Sequence, residues 1–179
     1  GTVGMALPGV DMKITNPDNG ETLVDGEIGQ IEVRGPNVFV GYWNMPEKTR
    51  EELREDGFFI TGDLGRIDEH GYLQIVGRNK DLIISGGYNI YPKEIELVLD
   101  EQPGVLESAV IGAPHPDFGE SVIGILVADG GQPVDLDAIE VDLGKTLARF
   151  KQPRKLVLVE SLPRNTMGKV QKNILRNKF

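Results

Sequence analysis

The sequence predicts an α+β fold: a β-rich piece followed by a compact domain of mixed strands and helices. Three observations carry this. Short strand-like segments, alternating at Asp11–Thr15 and Gly29–Arg34, recur through the first 78 residues between turn-forming stretches. The longer amphipathic helical patterns appear only after Pro92. Between them the pattern changes at Arg78–Asp81, which divides the chain into residues 1–79 and 80–179.

Asp11-Met12-Lys13-Ile14-Thr15 alternates and stops at the turn-forming Asn16-Pro17-Asp18-Asn19-Gly20. Gly29 to Arg34 alternates again and ends at Gly35-Pro36. Pro46 suits the first turn of a short helix that Asp56-Gly57 terminates. Phe58–Thr61 and Tyr72–Val76 read as strands, with turns between them at Asp68–Gly71 that account for His70. Asp81–Ile84 and Tyr88–Tyr91 flank Ser85-Gly86-Gly87 as a small glycine-tipped hairpin. Pro92 opens a helix with Ile95, Val98 and Leu99 on one face, closed by Gln102-Pro103-Gly104. Strands follow at Glu107–Ile111 and Ser121–Val127. Leu136, Ile139, Leu143, Leu147 and Phe150 trace one helix face. Lys155–Glu160 is a third strand, and a last short helix carries Val170, Ile174 and Leu175. The second piece is therefore expected to hold a three-stranded sheet, helices and the hairpin.

Composition bounds the function. With 39% hydrophobic and 26% charged residues, the 179-residue chain has ordinary globular proportions. No apolar run reaches the ~18 residues that cross a bilayer, and the start lacks a secretory pattern. There are no cysteines, which excludes disulfides, thiolate metal sites and a Cys nucleophile, and fits a reducing, cytoplasmic setting. Two histidines, His70 and His115, are too few and too far apart for a metal cluster. The net charge of −9 is uneven: from Lys151 onward eight basic residues face one acid, a net +7 that leaves −16 for the first 150 residues. That run reads either as a solvated basic face or as a local field for a small polyanion such as a nucleotide or coenzyme A. Nucleic acid is disfavoured, because the chain is acidic overall and aromatics do not interleave the cations.

Three charged residues stand out: Asp63 in Thr61-Gly62-Asp63, Arg78 in Gly77-Arg78, and Lys169 after Gly168. Each is expected in a turn or glycine-bounded loop, where side chains reach ligands. A carboxylate for sugar hydroxyls, a guanidinium beside it and an ammonium for charge on phosphorus or oxygen suit a nucleotide. Gly168-Lys169 is not a Walker loop, since Pro163 and Val170 occupy required Gly and Ser/Thr positions. Ser85-Gly86-Gly87 is not a dinucleotide fingerprint either.

Four blocks in order resemble the C-terminal part of adenylate-forming acyl-CoA synthetases. They are Gly26–Gly29 with Arg34-Gly35 and Gly41-Tyr42-Trp43; Phe59–Asp63; Gly77–Glu96; and Leu162–Val170. Within the family the wording is most similar to the malonyl-CoA synthetases, especially at 58–63, 83–96 and 163–175. The resemblance covers essentially the whole chain. It implies that residues 1–79 are the last β-rich subdomain of the N-terminal adenylation domain, and residues 80–179 a mobile C-terminal lid.

The resemblance also implies roles. Asp63 would accept hydrogen bonds from the ATP ribose, with Arg78 supporting the same sugar. Lys169 would be the catalytic lysine of adenylation, and Lys80 the hinge. Ser85, Gly86 and Gly87 would face the pantetheine arm of coenzyme A. Substrates would be a carboxylic acid (malonate or a related short acid), ATP and coenzyme A. The Mg²⁺ site, phosphate loop and acyl pocket belong to family segments outside this chain, so the missing N-terminal domain is the expected partner. Residues 1–179 alone are expected to be inactive. Other ligases of the family, of the medium-chain or 4-coumarate type, fit too, as does a non-catalytic stand-alone lid or interaction module. An exposed Lys169 would also be open to a lysine acetyltransferase, which would remove its charge. Glu120 and Lys151 read either as coenzyme A contacts or as caps of their neighbours.

Overall fold

The computed structural model describes residues 2–179. The chain divides into two compact units, Gly1–Lys80 and Asp81–Phe179.

The first unit is an antiparallel meander of four strands in the order β1-β2-β3-β4: β1 (Asp11–Thr15), β2 (Gly29–Arg34), β3 (Phe59–Ile67) and β4 (Leu73–Arg78). A short helix, α1 (Pro46–Glu52), lies between β2 and β3 with Pro46 in its first turn. Ile14 and Ile31, paired across β1 and β2, join Leu73 in a small core with Met12, Val33 and Ile67 packed around it. The alternate positions of β1 and β2 form a polar face that is buried at Thr15, Gln30 and Glu32. Glu32 is fully buried, yet Thr15 Oγ1 donates to it at 2.7 Å and Arg54 chelates it at 2.6 and 2.8 Å. Lys13 lies 3.4 Å away.

One expectation is corrected here. One strand runs unbroken from Phe59 to Ile67, without Phe58, so Asp63 lies within it rather than in a loop, and Arg78 is likewise in a strand, as the last residue of β4. The strand can pass through two glycines because it bulges, as described below.

The second unit is built on one mixed sheet of five strands: β5 (Ile83–Ser85), β6 (Tyr88–Ile90), β7 (Val105–His115), β8 (Gly119–Ala128) and β9 (Lys155–Val159). The long β7–β8 hairpin is its spine, and β9 runs parallel to β8 over Ile123–Val127. The expected glycine hairpin is not separate: Ser85 pairs with Gly119, which joins β5 to the spine. Three helices cover the sheet, α2 (Pro92–Asp100), α3 (Leu136–Thr146) and α4 (Lys172–Lys178). Alternation along the spine sorts its side chains into two cores. Val105, Val110, Val122 and Leu126 pack with Ile95 and Leu99 of α2 and Ile139 and Leu143 of α3. Ala109, Ile111, Ile123, Ile125 and Val127 pack with Leu162 and with Leu175 of α4.

Phe150 leaves the helix face on which its spacing placed it. The backbone becomes extended at Leu147, which buries that side chain, and Phe150 falls in a 3₁₀ turn at Arg149–Lys151.

Burial raises the pKa of Glu32, but hydrogen bonds from Arg54 and Thr15 and the charges of Arg54 and Lys13 hold it below its ordinary 4.5. Its contribution to stability is therefore complete above that value and lost as pH falls through the lower folded value. Glu32→Ala should destabilise the first unit by about 2–3 kcal/mol, somewhat below a fully buried pair because Arg54 is partly exposed. Amide exchange of β1 and β2 should report this at pH 7. The gap between wild type and variant should narrow once the pH is below the folded pKa; a gap that widens in acid would contradict the account.

Candidate functional site

Asp63 and Arg78 are brought together by a bulge. Gln30 faces Leu64 and Glu32 faces Ile60, so Ile31 alone stands opposite the three residues Thr61, Gly62 and Asp63. Gly62 adopts φ +74°, which a side chain would disfavour. Thr61 Oγ1 pins the bulge, donating to the Ile31 carbonyl at 2.9 Å and accepting from the Asp63 amide at 3.1 Å. On the other edge Asp63 pairs with Arg78 of β4, whose Nε lies 2.8 Å from Asp63 Oδ1. Arg78 is half exposed. Among the described residues neither side chain has a further side-chain partner, so a carboxylate oxygen and guanidinium donors remain for a ligand.

An open cleft of about 510 Å³ lies beside this pair, lined by Thr61, Gly62, Arg78 and Lys80 and by Tyr42, Lys48 and Glu52. Tyr42 donates its hydroxyl proton to Glu52, which raises the tyrosine pKa. Lys80 sits in a 3₁₀ turn at Asn79–Asp81.

The second unit holds the other expected residues in two places. Gly86 and Gly87, at φ +59° and +82°, make the tight turn between β5 and β6 that only successive left-handed residues allow. Ser85 and Gly86 line a second cleft of about 520 Å³ with Tyr88, Phe118, Phe150 and Arg154. Tyr88 and Phe150 stack with ring centres 4.5 Å apart, and Arg154 lies over the Phe118 ring. Lys169 does not line that cleft. It occupies a tight loop after Leu162, where Asn165 Oδ1 accepts from the Met167 and Lys169 amides at 3.0 and 2.9 Å. The Asn165 amide donates to the Lys169 carbonyl at 2.9 Å, and Gly168 takes φ +78°.

The basic run from Lys151 is largely committed to protein partners. Lys151 pairs with Glu94, Arg164 with Glu107, Lys172 with Glu96 and Arg176 with Asp81. Arg154, Lys155 and Lys178 lie over aromatic rings. Among the described residues, Lys169 is the one cation of the eight with neither an ion pair nor an aromatic face, and it is exposed. This corrects the reading of the run as one field: half its charge is neutralised in place. Lys151 and Glu120 act inward, the former on Glu94 and the latter accepting from the Ile84 amide at 2.8 Å.

Sequence reasoning did not single out Tyr42, Lys48 and Glu52, or Phe118, Phe150 and Arg154, as cleft residues. Tyr42 stands only within a family block, Lys48 and Glu52 fall on α1, and Phe150 follows a helical spacing, so nothing local marks them as lining a cleft. Among the described residues no group of three His, Asp or Glu could hold a metal ion, and no helix is long and apolar enough to cross a membrane.

With the two clefts and the lysine loop in view, the comparisons with known proteins are direct. Residues 1–43 match the AMP-binding enzyme family, and residues 94–169 match the AMP-binding enzyme C-terminal domain. The chain belongs to the adenylate-forming, AMP-binding enzymes, and it corresponds to their C-terminal part. Among its relatives, a malonate–CoA ligase of Arabidopsis thaliana is 44% identical over 98% of this chain and 30% of its own length. An indoleacetate–CoA ligase of Aromatoleum aromaticum is 42% identical over 98% of this chain and 34% of its own length. The structure of ATP-bound MatB from Rhodopseudomonas palustris is 60% identical and superposes with a TM-score of 0.94, covering 99% of this chain and 35% of that one. Apo MatB, at the same identity, gives 0.75. The chain thus spans about a third of the length of these relatives.

Asn165→Ala should release the Met167 and Lys169 amides. Their hydrogen exchange should quicken about tenfold, as expected for one lost hydrogen bond each, while β7 and β8 keep their protection. Unchanged exchange would show that the loop is shaped by something else.

Proposed function

We propose that these residues close the site of an AMP-forming acid–thiol ligase acting on malonate or a related short acid. The acid carboxylate would attack the α-phosphorus of ATP, with pyrophosphate leaving. The coenzyme A thiol would then attack the acyl-adenylate carbonyl, with AMP leaving and the thiol proton passing to solvent. The observation that carries this reading is Lys169, an exposed cation on a hydrogen-bonded loop and, among the described residues, without an ion pair or aromatic partner. Such an ammonium is available to charge that develops between carboxylate and phosphate.

The remaining roles are those the family resemblance implies, and the geometry supports them. Asp63 and Arg78, locked together across β3 and β4, present an acceptor and donors suited to ribose hydroxyls. Ser85, Gly86 and Gly87 offer coenzyme A a turn free of bulky side chains beside an aromatic and cationic cleft. Rotation about Lys80, in the turn where the two units divide, would exchange Lys169 for the glycine turn between the half-reactions. The malonate reading rests on the likeness to the malonate–CoA ligase. The comparable identity to an indoleacetate–CoA ligase fits an acid pocket that lies in the upstream part. The magnesium ion is assigned to that part as well. Acetylation of Lys169 would abolish its charge and with it the first half-reaction.

Residues 1–179 alone should show no ATP–pyrophosphate exchange with malonate, and should restore exchange when added to a separately produced upstream part. Robust exchange by the chain alone would sink the proposal, and failure to restore it would favour a stand-alone interaction module. In the full-length ligase, Lys169→Ala should slow adenylation about 100-fold or more while sparing thioester formation from preformed acyl-adenylate. Asp63→Asn should weaken ATP binding about tenfold, measured by calorimetry.

A further inference from the structure

We infer that Arg164 is a positioning residue for Lys169, acting through the Gly168 carbonyl and anchored by Glu107. The inference rests on the adenylation role proposed for Lys169. The loop has two kinds of restraint. Its shape comes from within: the Asn165 side chain holds the Met167 and Lys169 amides, and the Asn165 and Gly168 amides donate to the Lys169 and Asn165 carbonyls. Its stem is fixed by Leu162, buried against the sheet, by Val170 beside it, and by the Gln171 amide donating to the Pro163 carbonyl. None of these ties the tip, where Met167 is largely exposed, to the sheet.

Arg164 supplies that tie. It faces Val170 across the base of the loop. One terminal nitrogen donates to the Gly168 carbonyl at 2.6 Å, and the other meets the carboxylate of Glu107. Glu107 lies on β7, paired with Val127 on the spine of the unit. The peptide that carries the Gly168 carbonyl is the one that carries the Lys169 amide, so the guanidinium grips the bond immediately before the reactive residue. A planar fork can hold a carbonyl and a carboxylate at once; a single ammonium on a flexible stem cannot hold both with the same geometry. Without the tie the loop keeps its internal hydrogen bonds but loses its aim, and an ångström of misplacement costs on the order of 100-fold in rate.

The test uses the full-length ligase and separates the half-reactions. Arg164→Ala should lower kcat for ATP–pyrophosphate exchange about 10- to 100-fold, with KM for ATP within about twofold and thioester formation from preformed acyl-adenylate unchanged. Arg164→Lys should recover only a small part of the loss. Glu107→Gln, which leaves Arg164 in place, should lose exchange in the same selective way and keeps the inference testable if Arg164→Ala folds poorly. Equal losses in both half-reactions would mark Arg164 as merely structural and overturn the inference. Unimpaired exchange in Arg164→Ala and Glu107→Gln, with exchange abolished in Lys169→Ala, would overturn it while leaving the role of Lys169 intact. Unimpaired exchange in Lys169→Ala would instead remove the reading beneath it.

Discussion

The antiparallel pairing of β7 with β8 is the constraint on which the second unit depends. Its register runs from Val105 opposite Ala128 to His115 opposite Gly119, and every other element of the unit is placed by it. The β5–β6 turn joins it at Gly119, and β9 lies along its far half. Both faces are buried, so strict alternation of side chains decides what covers each. Val110, Val122 and Leu126 face α2 and α3, joined by Val105 beyond a bulge before Glu107, while Ala109, Ile111, Ile123, Ile125 and Val127 face Leu162 and α4. A register slip of one residue would exchange these faces and unseat the stem of the Lys169 loop. The second core is therefore also the foundation of the candidate site.

Much of this architecture was legible because local chemistry and tertiary packing agree. Pro92 and the stop at Gln102–Gly104 bracket α2 as capping rules require, and Gly86-Gly87 demands a tight turn. What was not legible depended on distant partners. Nothing near Asp63 announces a bulge, since it arises from Ile31 facing three residues on a strand 30 positions away. Glu32 reads as the solvent side of an alternating strand, yet it is fully buried because Arg54 reaches it from beyond α1. Phe150 continues a helical spacing, but tertiary packing of Leu147 ends the helix first. In each case a long-range contact overrode a sound local pattern.

The candidate site residues were easier to find than to weigh. Asp63, Arg78 and Lys169 were visible as charged residues beside glycines, but so were many surface charges. The structure separates them by how their neighbours are used. Lys151, Arg164, Lys172 and Arg176 each meet a carboxylate, and those contacts hold α2, α4, β7 and the start of the unit together. A linear charge count gives all of them equal weight. In the folded unit the basic segment is mostly internal bracing, and among the described residues only Lys169 of the eight is left unbraced.

The same spine has a kinetic consequence. Its two strands are joined by three residues, Pro116 to Phe118, so closing it costs little chain entropy. By contrast β9 must cross over through α3 before lying parallel to β8, and the Lys169 loop needs β9 and α4 in place beneath it. Contacts of greater sequence separation are the slower to form. Chain topology thus places the Lys169 loop among the last parts of its unit to be assembled. A chain caught midway through folding would carry the β7–β8 hairpin while the stem of the Lys169 loop was still unsupported.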